Sequence, residues 1–135
     1  MSKEAFEAAM QNIELQGKSE RKACDTRQGR AAELCTKEAK AREKIAKAEL
    51  EAQYEPSPES WQEARNVKAE AEYAVAREKC GDLKGTAKDR CVTAAKSTRE
   101  AAIRLAKVEK VASVRAAERE AAAERKAAAV AKARP

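Results

Sequence analysis

The feature that most constrains this chain is a cysteine-bounded segment that occurs twice. Cys24-Asp-Thr-Arg-Gln-Gly-Arg-Ala-Ala-Glu-Leu-Cys35 and Cys80-Gly-Asp-Leu-Lys-Gly-Thr-Ala-Lys-Asp-Arg-Cys91 each place ten residues between two cysteines. In both, a glycine lies five residues after the first cysteine and an alanine lies seven after it. The second segment begins 56 positions after the first, and further matches flank the pair, such as Arg21 with Arg77. The sequence therefore predicts one supersecondary unit used twice.

The composition indicates that this unit is helical. Alanine, glutamate, lysine and arginine dominate the 135 residues, whereas aromatic residues make up only 3% of them. Such a composition is typical of long helices or coiled coils, and the residues that favour strands are scarce. Because bulky apolar side chains are few, disorder is the competing interpretation, above all for the C-terminal end.

Cap and turn residues divide the chain into four helices. The first is predicted over residues 3–24 with Ser2 as its N-cap, and Gly17 is expected to weaken or bend it. A left-handed Gly29 would turn the chain into a second helix over residues 31–54. Pro56 stops that helix, and Ser57 followed by Pro58 begins a third helix that ends near Cys80.

The fourth helix is predicted to follow the turn at Gly85, with Thr86 as its N-cap and Asp89 completing a short capping box. An apolar stripe marks its packing side and also suggests a helix-mediated dimer. The stripe comprises Cys91, Ala94, Thr98, Ala101, Leu105, Val108 and Ala112. Residues 113–135 contain mostly alanine and charge, which predicts a basic, helical or frayed tail.

These elements predict an all-α fold in which two antiparallel helical hairpins form a four-helix bundle with a protruding C-terminal helix extension. The domain would span residues 1–112, with units at about 3–54 and 58–112, and the tail would follow. The ends of a helical hairpin lie close enough for a disulfide. We therefore expect Cys24 to pair with Cys35 and Cys80 with Cys91. Two loosely associated hairpins, or an elongated coiled coil that dimerises, are the alternative architectures.

The cysteines also admit a metal site or free thiols. Structural zinc ligands usually lie two to four residues apart and often include histidine, whereas this chain has no histidine and a spacing of ten. We accordingly predict no metal site and no cofactor. The missing histidine also removes the commonest general base, and neither a nucleophile with a partner base nor a phosphate-binding glycine loop is present. We predict no catalytic residues and a non-enzymatic protein.

The formal net charge of +6 makes acidic partners the alternative hypothesis for function. Most of the excess lies from Arg104 to Pro135, where nine basic residues accompany four acidic ones. Such a tail predicts weak, salt-sensitive contact with nucleic acid or another polyanion, without a recognition motif. The candidate binding residues are Arg115, Arg119, Arg125, Lys126, Lys132 and Arg134.

The chain resembles a group of small alanine- and lysine-rich exported proteins of beta-proteobacteria whose function is uncharacterised. Three features carry the resemblance: the Cys80–Cys91 segment, the segment Ala39-Lys-Ala-Arg-Glu-Lys-Ile-Ala-Lys-Ala-Glu-Leu-Glu-Ala-Gln-Tyr54, and the Pro-Ser-Pro linker. It covers roughly residues 3–105 and implies a periplasmic or cell-surface location with oxidised cysteines. Residues 1–11 do not form a leader, so we expect either that one was removed or that the protein is cytoplasmic. No stretch approaches a membrane span, and an unidentified protein or envelope component is the expected partner of a monomer or weak homodimer.

Overall fold

The computed structural model describes all residues 1–135 and contains four α-helices and no strand. The helices are α1 (Lys3–Ala23), α2 (Gly29–Tyr54), α3 (Pro58–Cys80) and α4 (Gly85–Ala133), and a 3₁₀ turn over Cys24–Thr26 follows α1. The all-α fold and the two hairpins, α1 with α2 and α3 with α4, are confirmed.

Two helices begin at serine caps, as the sequence predicts. Ser2 Oγ accepts a hydrogen bond of 3.1 Å from the Ala5 amide at the start of α1. At the start of α3, the Ser57 and Ser60 hydroxyls each accept a 2.9 Å hydrogen bond from the other residue's amide. These reciprocal bonds satisfy two amides that have no partner within the helix, so the Pro-Ser-Pro linker both ends α2 and starts α3.

The other two helices begin at left-handed glycines. Gly29 has φ of 58° and Gly85 has φ of 56°, a region that residues with a Cβ avoid. The predicted cap at Thr86 is wrong, because α4 already begins at Gly85 and its N-cap is Lys84, which makes no side-chain cap bond. The glycine conformation alone directs the chain into the helix, and Thr86 lies inside the first turn.

The four helices pack in chain order. Contacts join α1 to α2, α2 to α3 and α3 to α4, but α1 does not contact α4. Because the last contact that would close a ring of four helices is missing, the bundle is an open row.

The interior of this row consists almost wholly of small side chains. Twelve of the 135 residues are buried. Eight of them are alanines, and Leu50 is the only large aliphatic side chain among them. The solvent-accessible surface is 9740 Å², whereas a compact protein of this mass exposes about 6,900 Å². The row is therefore thin, and it lacks the bulky core that would make it rigid by packing alone.

The fourth helix is much longer than its neighbour. At 1.5 Å per residue, α4 extends about 74 Å and α3 about 35 Å. The start of α3 lies beside the middle of α4, since Pro56 and Ser113 line the same cleft. Residues 114–133 consequently project past the linker end of the row as continuous helix, which confirms the protruding extension and shows that it is helical rather than frayed.

Candidate interaction surfaces

Both disulfides lie at one end of the row, opposite the Pro-Ser-Pro linker. Cys24 is bonded to Cys35 and Cys80 to Cys91, each with a Cα–Cα distance of 5.6 Å. All four cysteines are therefore oxidised, which leaves no thiolate for the metal-site or free-thiol alternatives. Each bond closes the end of one hairpin, where the alanine-rich interface would otherwise be free to open.

Arg30 connects the two disulfide-bearing turns, a role that sequence reasoning missed. Its Nε donates to Asp82 Oδ1, and its Nη2 donates to the Glu78 carbonyl at 2.7 Å. A Cβ on Gly81 would lie 1.9 Å from Arg30 Nη2, so a side chain at this position would displace the guanidinium from where it lies. The hydrogen bond to Asp82 raises the pKa of Arg30 further. One feature of the sequence could have indicated this role. Arg30 occupies the position in the first unit that Thr86 has in the second, and an arginine is a poor helix cap at such a position.

A cluster of ion pairs joins α1 to α2. Arg21 Nη1 lies 2.7 Å from Glu43 Oε1, and Lys47 Nζ lies 3.4 Å from Glu43 Oε2 and 3.2 Å from Glu14 Oε1. Gly17 is buried beneath this cluster, because a Cβ there would lie 1.8 Å from Glu43 Oε1. α1 runs unbroken through Gly17, so the glycine provides space for a carboxylate instead of interrupting the helix.

The pKa values of Glu43 and Lys47 are shifted in the directions expected for a structural ion pair. Hydrogen bonds from Arg21 and then Lys47 hold the pKa of Glu43 below its ordinary value. The hydrogen bond to Glu14 raises the pKa of Lys47. A general acid at neutral pH needs a carboxyl whose pKa is raised, so Glu43 is tuned in the opposite direction.

The second hairpin fills the corresponding place with an aromatic contact. Tyr73 lies 56 positions after Gly17, and Arg99 lies 56 after Glu43. The Arg99 guanidinium lies 4.3 Å from the centre of the Tyr73 ring, and its Nη1 is 3.7 Å from Glu70. Both hairpins thus use the same site for a contact between helices, an ion pair in one and a cation–π pair in the other.

Two clefts flank the linker end of the row. One has a volume of about 480 Å³ and is lined by Trp61, Pro56 and Pro58 together with the Arg65–Glu109 ion pair of 2.7 Å. The other, about 650 Å³, lies beside Phe6 and Tyr54, whose rings stack at 4.2 Å. Its remaining side chains are mostly acidic: Glu51, Glu55, Glu59 and Glu63. No three acidic or cysteine side chains in the protein converge as metal ligands would.

Most of the apolar stripe predicted on α4 lies on a flank of the helix that α3 leaves uncovered, although Cys91 at its start is bonded to Cys80 and Thr98 borders α3. Its members Leu105 and Val108 are 57% and 64% exposed, and Ala94, Thr98, Ala101 and Ala112 are also exposed. The residues of α4 that pack on α3 are a different set, with Ala95 and Ala106 buried. The prediction that the stripe is the packing side of α4 is therefore wrong for its members from Ala101 to Ala112, whose side chains are exposed. We call the six residues from Ala94 to Ala112 the α4 seam.

The candidate polyanion-binding residues all lie in or just beyond the projecting part of α4. At helical spacing, Arg115, Arg119 and Lys126 continue the line of the α4 seam along one face. Glu120 and Glu124 fall on the opposite face. Arg125 and Lys132 lie on a neighbouring face, and Arg134 follows the end of the helix at Ala133. The structure therefore groups three of the six candidates into one basic stripe.

Comparison with known proteins gives no relative: no protein family, no curated protein and no solved structure matches the chain. None of the four helices combines the length and the apolar character that crossing a bilayer requires. The class of protein is thus defined by the fold alone, as an open row of four helices with each hairpin closed by a disulfide.

Proposed function

We propose that this protein is non-enzymatic and has a structural or protein-interaction role. The observation that carries the proposal is the open row, whose 9740 Å² of surface exceeds the compact expectation by about 2,800 Å². A single layer of helices exposes more surface than a compact bundle of the same mass. Such a shape suits a protein that binds partners through its helix faces. The exposed α4 seam is the most apolar of those faces.

The charged groups also support a structural role. Three carboxylates that folding brings against another helix, those of Glu43, Asp82 and Glu109, each lie next to a lysine or an arginine. Such ion pairs position helices, whereas acid–base chemistry at neutral pH needs a group with a pKa near 7.

The disulfides support an oxidising compartment, and we infer a periplasmic or cell-surface location. Two bonds that close loops of equal length persist where thiols are not kept reduced. The resemblance to small exported beta-proteobacterial proteins points the same way. Alkylation of thiols in intact cells that express the protein from its own gene tests this, and a reduced protein at steady state would overturn the location.

Duplication of one ancestral hairpin belongs to the same proposal. The equal spacing of the two disulfides supports it, and so does the interhelical contact that recurs 56 positions later. We therefore interpret Gly17 and Tyr73 as descendants of one position that diverged with their partners, Glu43 and Arg99.

The interaction role is tested by photo-crosslinking in the same cells. A photoreactive amino acid at Val108, in the α4 seam, is expected to give discrete crosslinked species. The same amino acid at Leu15, which is 65% exposed on α1, is the matched control. Equal and diffuse labelling from both positions would contradict a specific interaction through the seam.

Binding of a polyanion by the tail is the second candidate, and the basic stripe favours it. Arg115, Arg119 and Lys126 face one side of a projecting helix while Glu120 and Glu124 face the other. Their replacement by alanine should weaken duplex DNA binding at low salt and flatten its salt dependence. The control replaces the exposed Lys18, Lys22 and Lys88, which removes the same charge from the row. Equal loss of binding in both variants would show that binding depends on the net charge of the protein and not on a site in the tail.

A further inference from the structure

The α4 seam has no partner within the chain. A closed bundle would cover each helix on two sides, but α4 contacts only α3, and α1 is too distant to reach it. Leu105 and Val108 are among the most exposed large apolar residues of the protein, and they lie on a straight line of small side chains. The spacing of that line alternates between four and three residues, which is the pattern by which one helix packs along another.

We propose that the α4 seam is the interface of an antiparallel homodimer, in which α4 of one copy packs along α4 of the other. This inference rests on the interaction role proposed above and names its partner as a second copy. A parallel pairing is disfavoured by the basic stripe, because Arg115, Arg119 and Lys126 would each face themselves across the interface. The antiparallel pairing separates the two stripes and directs each toward the opposite copy's disulfide end.

The dimensions of α4 fit this arrangement. The two large side chains of the seam, Leu105 and Val108, lie close to the middle of a helix that spans Gly85–Ala133. A two-fold axis there packs Leu105 of each copy against Val108 of the other, and Ala101 against Ala112. It also lays the projecting residues 114–133 of each copy along the first half of the other copy's α4. The length of helix that lacks neighbours in one chain is therefore covered in the pair.

The charges next to the seam are complementary in this register. Arg115 of one copy comes level with Thr98 of the other. Thr98 lines a groove between α3 and α4 that also contains Arg99 and Glu72. Arg99 is already paired with Glu70, whereas the Glu72 side chain is 58% exposed and only loosely paired with Lys68, at 3.9 Å. Each copy thus offers the Glu72 carboxylate near the place where the first arginine of the partner's basic stripe would lie.

The total surface of the protein is large enough to include an interface of ordinary size. A standard interface removes about 800 Å² from each partner. The protein exposes about 2,800 Å² more than a compact chain of its mass, so dimerisation would still leave it more extended than average.

Sedimentation of the full-length, oxidised protein over a range of concentrations tests the dimer. We expect a reversible monomer–dimer equilibrium whose dissociation constant rises at least about tenfold in Leu105→Glu/Val108→Glu. The matched control, Leu15→Glu/Leu83→Glu, places the same two charges at residues that are 65% and 42% exposed outside the seam, and it should dimerise like the unmodified protein. Circular dichroism verifies that each variant is helical. A single monomeric species at every concentration, or equal weakening in both double variants, would overturn the proposal.

Charge reversal tests the direction of the pairing. Arg115→Glu should weaken the antiparallel dimer, as should Glu72→Arg, and combining the two substitutions should restore it. Arg115→Ala separates the two directions, because in a parallel pairing it would remove a repulsion between like charges. We expect it to weaken the dimer, and a tighter dimer in this variant would indicate a parallel pairing and contradict the proposed geometry. Failure of the dimer is distinguishable from failure of the interaction role. A crosslink from Val108 in cells to a different protein, with a monomer in sedimentation, would preserve the interaction role and remove the homodimer.

Discussion

At the scale of single residues, the positions that seemed least suited to a helix turn out to hold the helices together. Gly17 leaves space for the Glu43 carboxylate, and Gly81 leaves space for the Arg30 guanidinium. In each case a charged side chain from an adjacent helix lies against the backbone of the glycine. Glycine costs helix propensity of about 1 kcal/mol, and the interhelical contact it permits offsets that cost.

Glu43 should make stability depend on acid. Because its folded-state pKa is lowered, the ionised carboxylate stabilises the fold above the unfolded pKa of about 4.3. That contribution is lost as the pH falls through the lower, folded pKa. Urea unfolding should therefore show Glu43→Gln less stable than the unmodified protein at pH 6, with the gap narrowing as the pH falls below about 4.3. Glu7→Gln, at an exposed position of α1 without an ion pair, should show no such gap, and a gap for Glu43→Gln that is constant with pH would contradict the assignment.

Arg30 should hold the second turn closed. Its contacts with Asp82 and the Glu78 carbonyl span the two hairpins, so Arg30→Ala should speed amide hydrogen exchange at Gly81, Asp82 and Leu83 several-fold. Arg27→Ala removes an exposed arginine from the first turn and serves as the control. Unchanged exchange in Arg30→Ala would mean that the disulfide alone fixes this turn.

At the scale of the elements, each hairpin is held by a weak alanine interface and one covalent bond. Both disulfides connect cysteines 11 positions apart. Loops of equal length constrain the unfolded chain equally, so the two bonds should contribute comparably.

Removing either disulfide should therefore lower the free energy of unfolding by about 2–3 kcal/mol. Denaturant unfolding of Cys24→Ser/Cys35→Ser and of Cys80→Ser/Cys91→Ser measures this directly. Reduction of the unmodified protein should reproduce the sum of the two effects. Losses below about 0.5 kcal/mol in both variants would show that helix packing suffices without sulfur.

The start of α4 should depend on glycine and not on threonine. Gly85 has φ of 56°, so Gly85→Ala should cost about 1–2 kcal/mol in the same unfolding measurement. Thr86→Ala should change stability by less than about 0.5 kcal/mol, because Thr86 makes no cap bond. The reverse order of effects would restore Thr86 as the cap.

At the scale of the whole molecule, the shape is determined by the missing contact between α1 and α4. Sequential contacts and the 49-residue α4 give a long, thin particle. Such a shape leaves apolar and basic faces available, which is the basis of both functional proposals.

Small-angle scattering of dilute protein should report this shape. We expect a largest dimension near 75 Å, set by α4, and a radius of gyration well above the roughly 14 Å of a compact chain of this length. The truncation that ends at Ser113 should shorten the particle while leaving its helical row intact. A compact value for the full-length protein would mean that the projecting helix folds back.

The sequence by itself determined the helices, the linker and the pairing of the cysteines. These features follow from local chemistry: alanine-rich helix propensity, a serine–proline start at Ser57 and Pro58, and the recurrence of one cysteine spacing. Only the tertiary structure decided which way the helices face. The α4 seam has the periodicity of a packed stripe, yet periodicity identifies an apolar face without saying what covers it. Alanine interfaces can form on several faces of such a helix, so the choice was made by long-range contacts, among them the bond from Arg30 to Asp82, that no local pattern encodes.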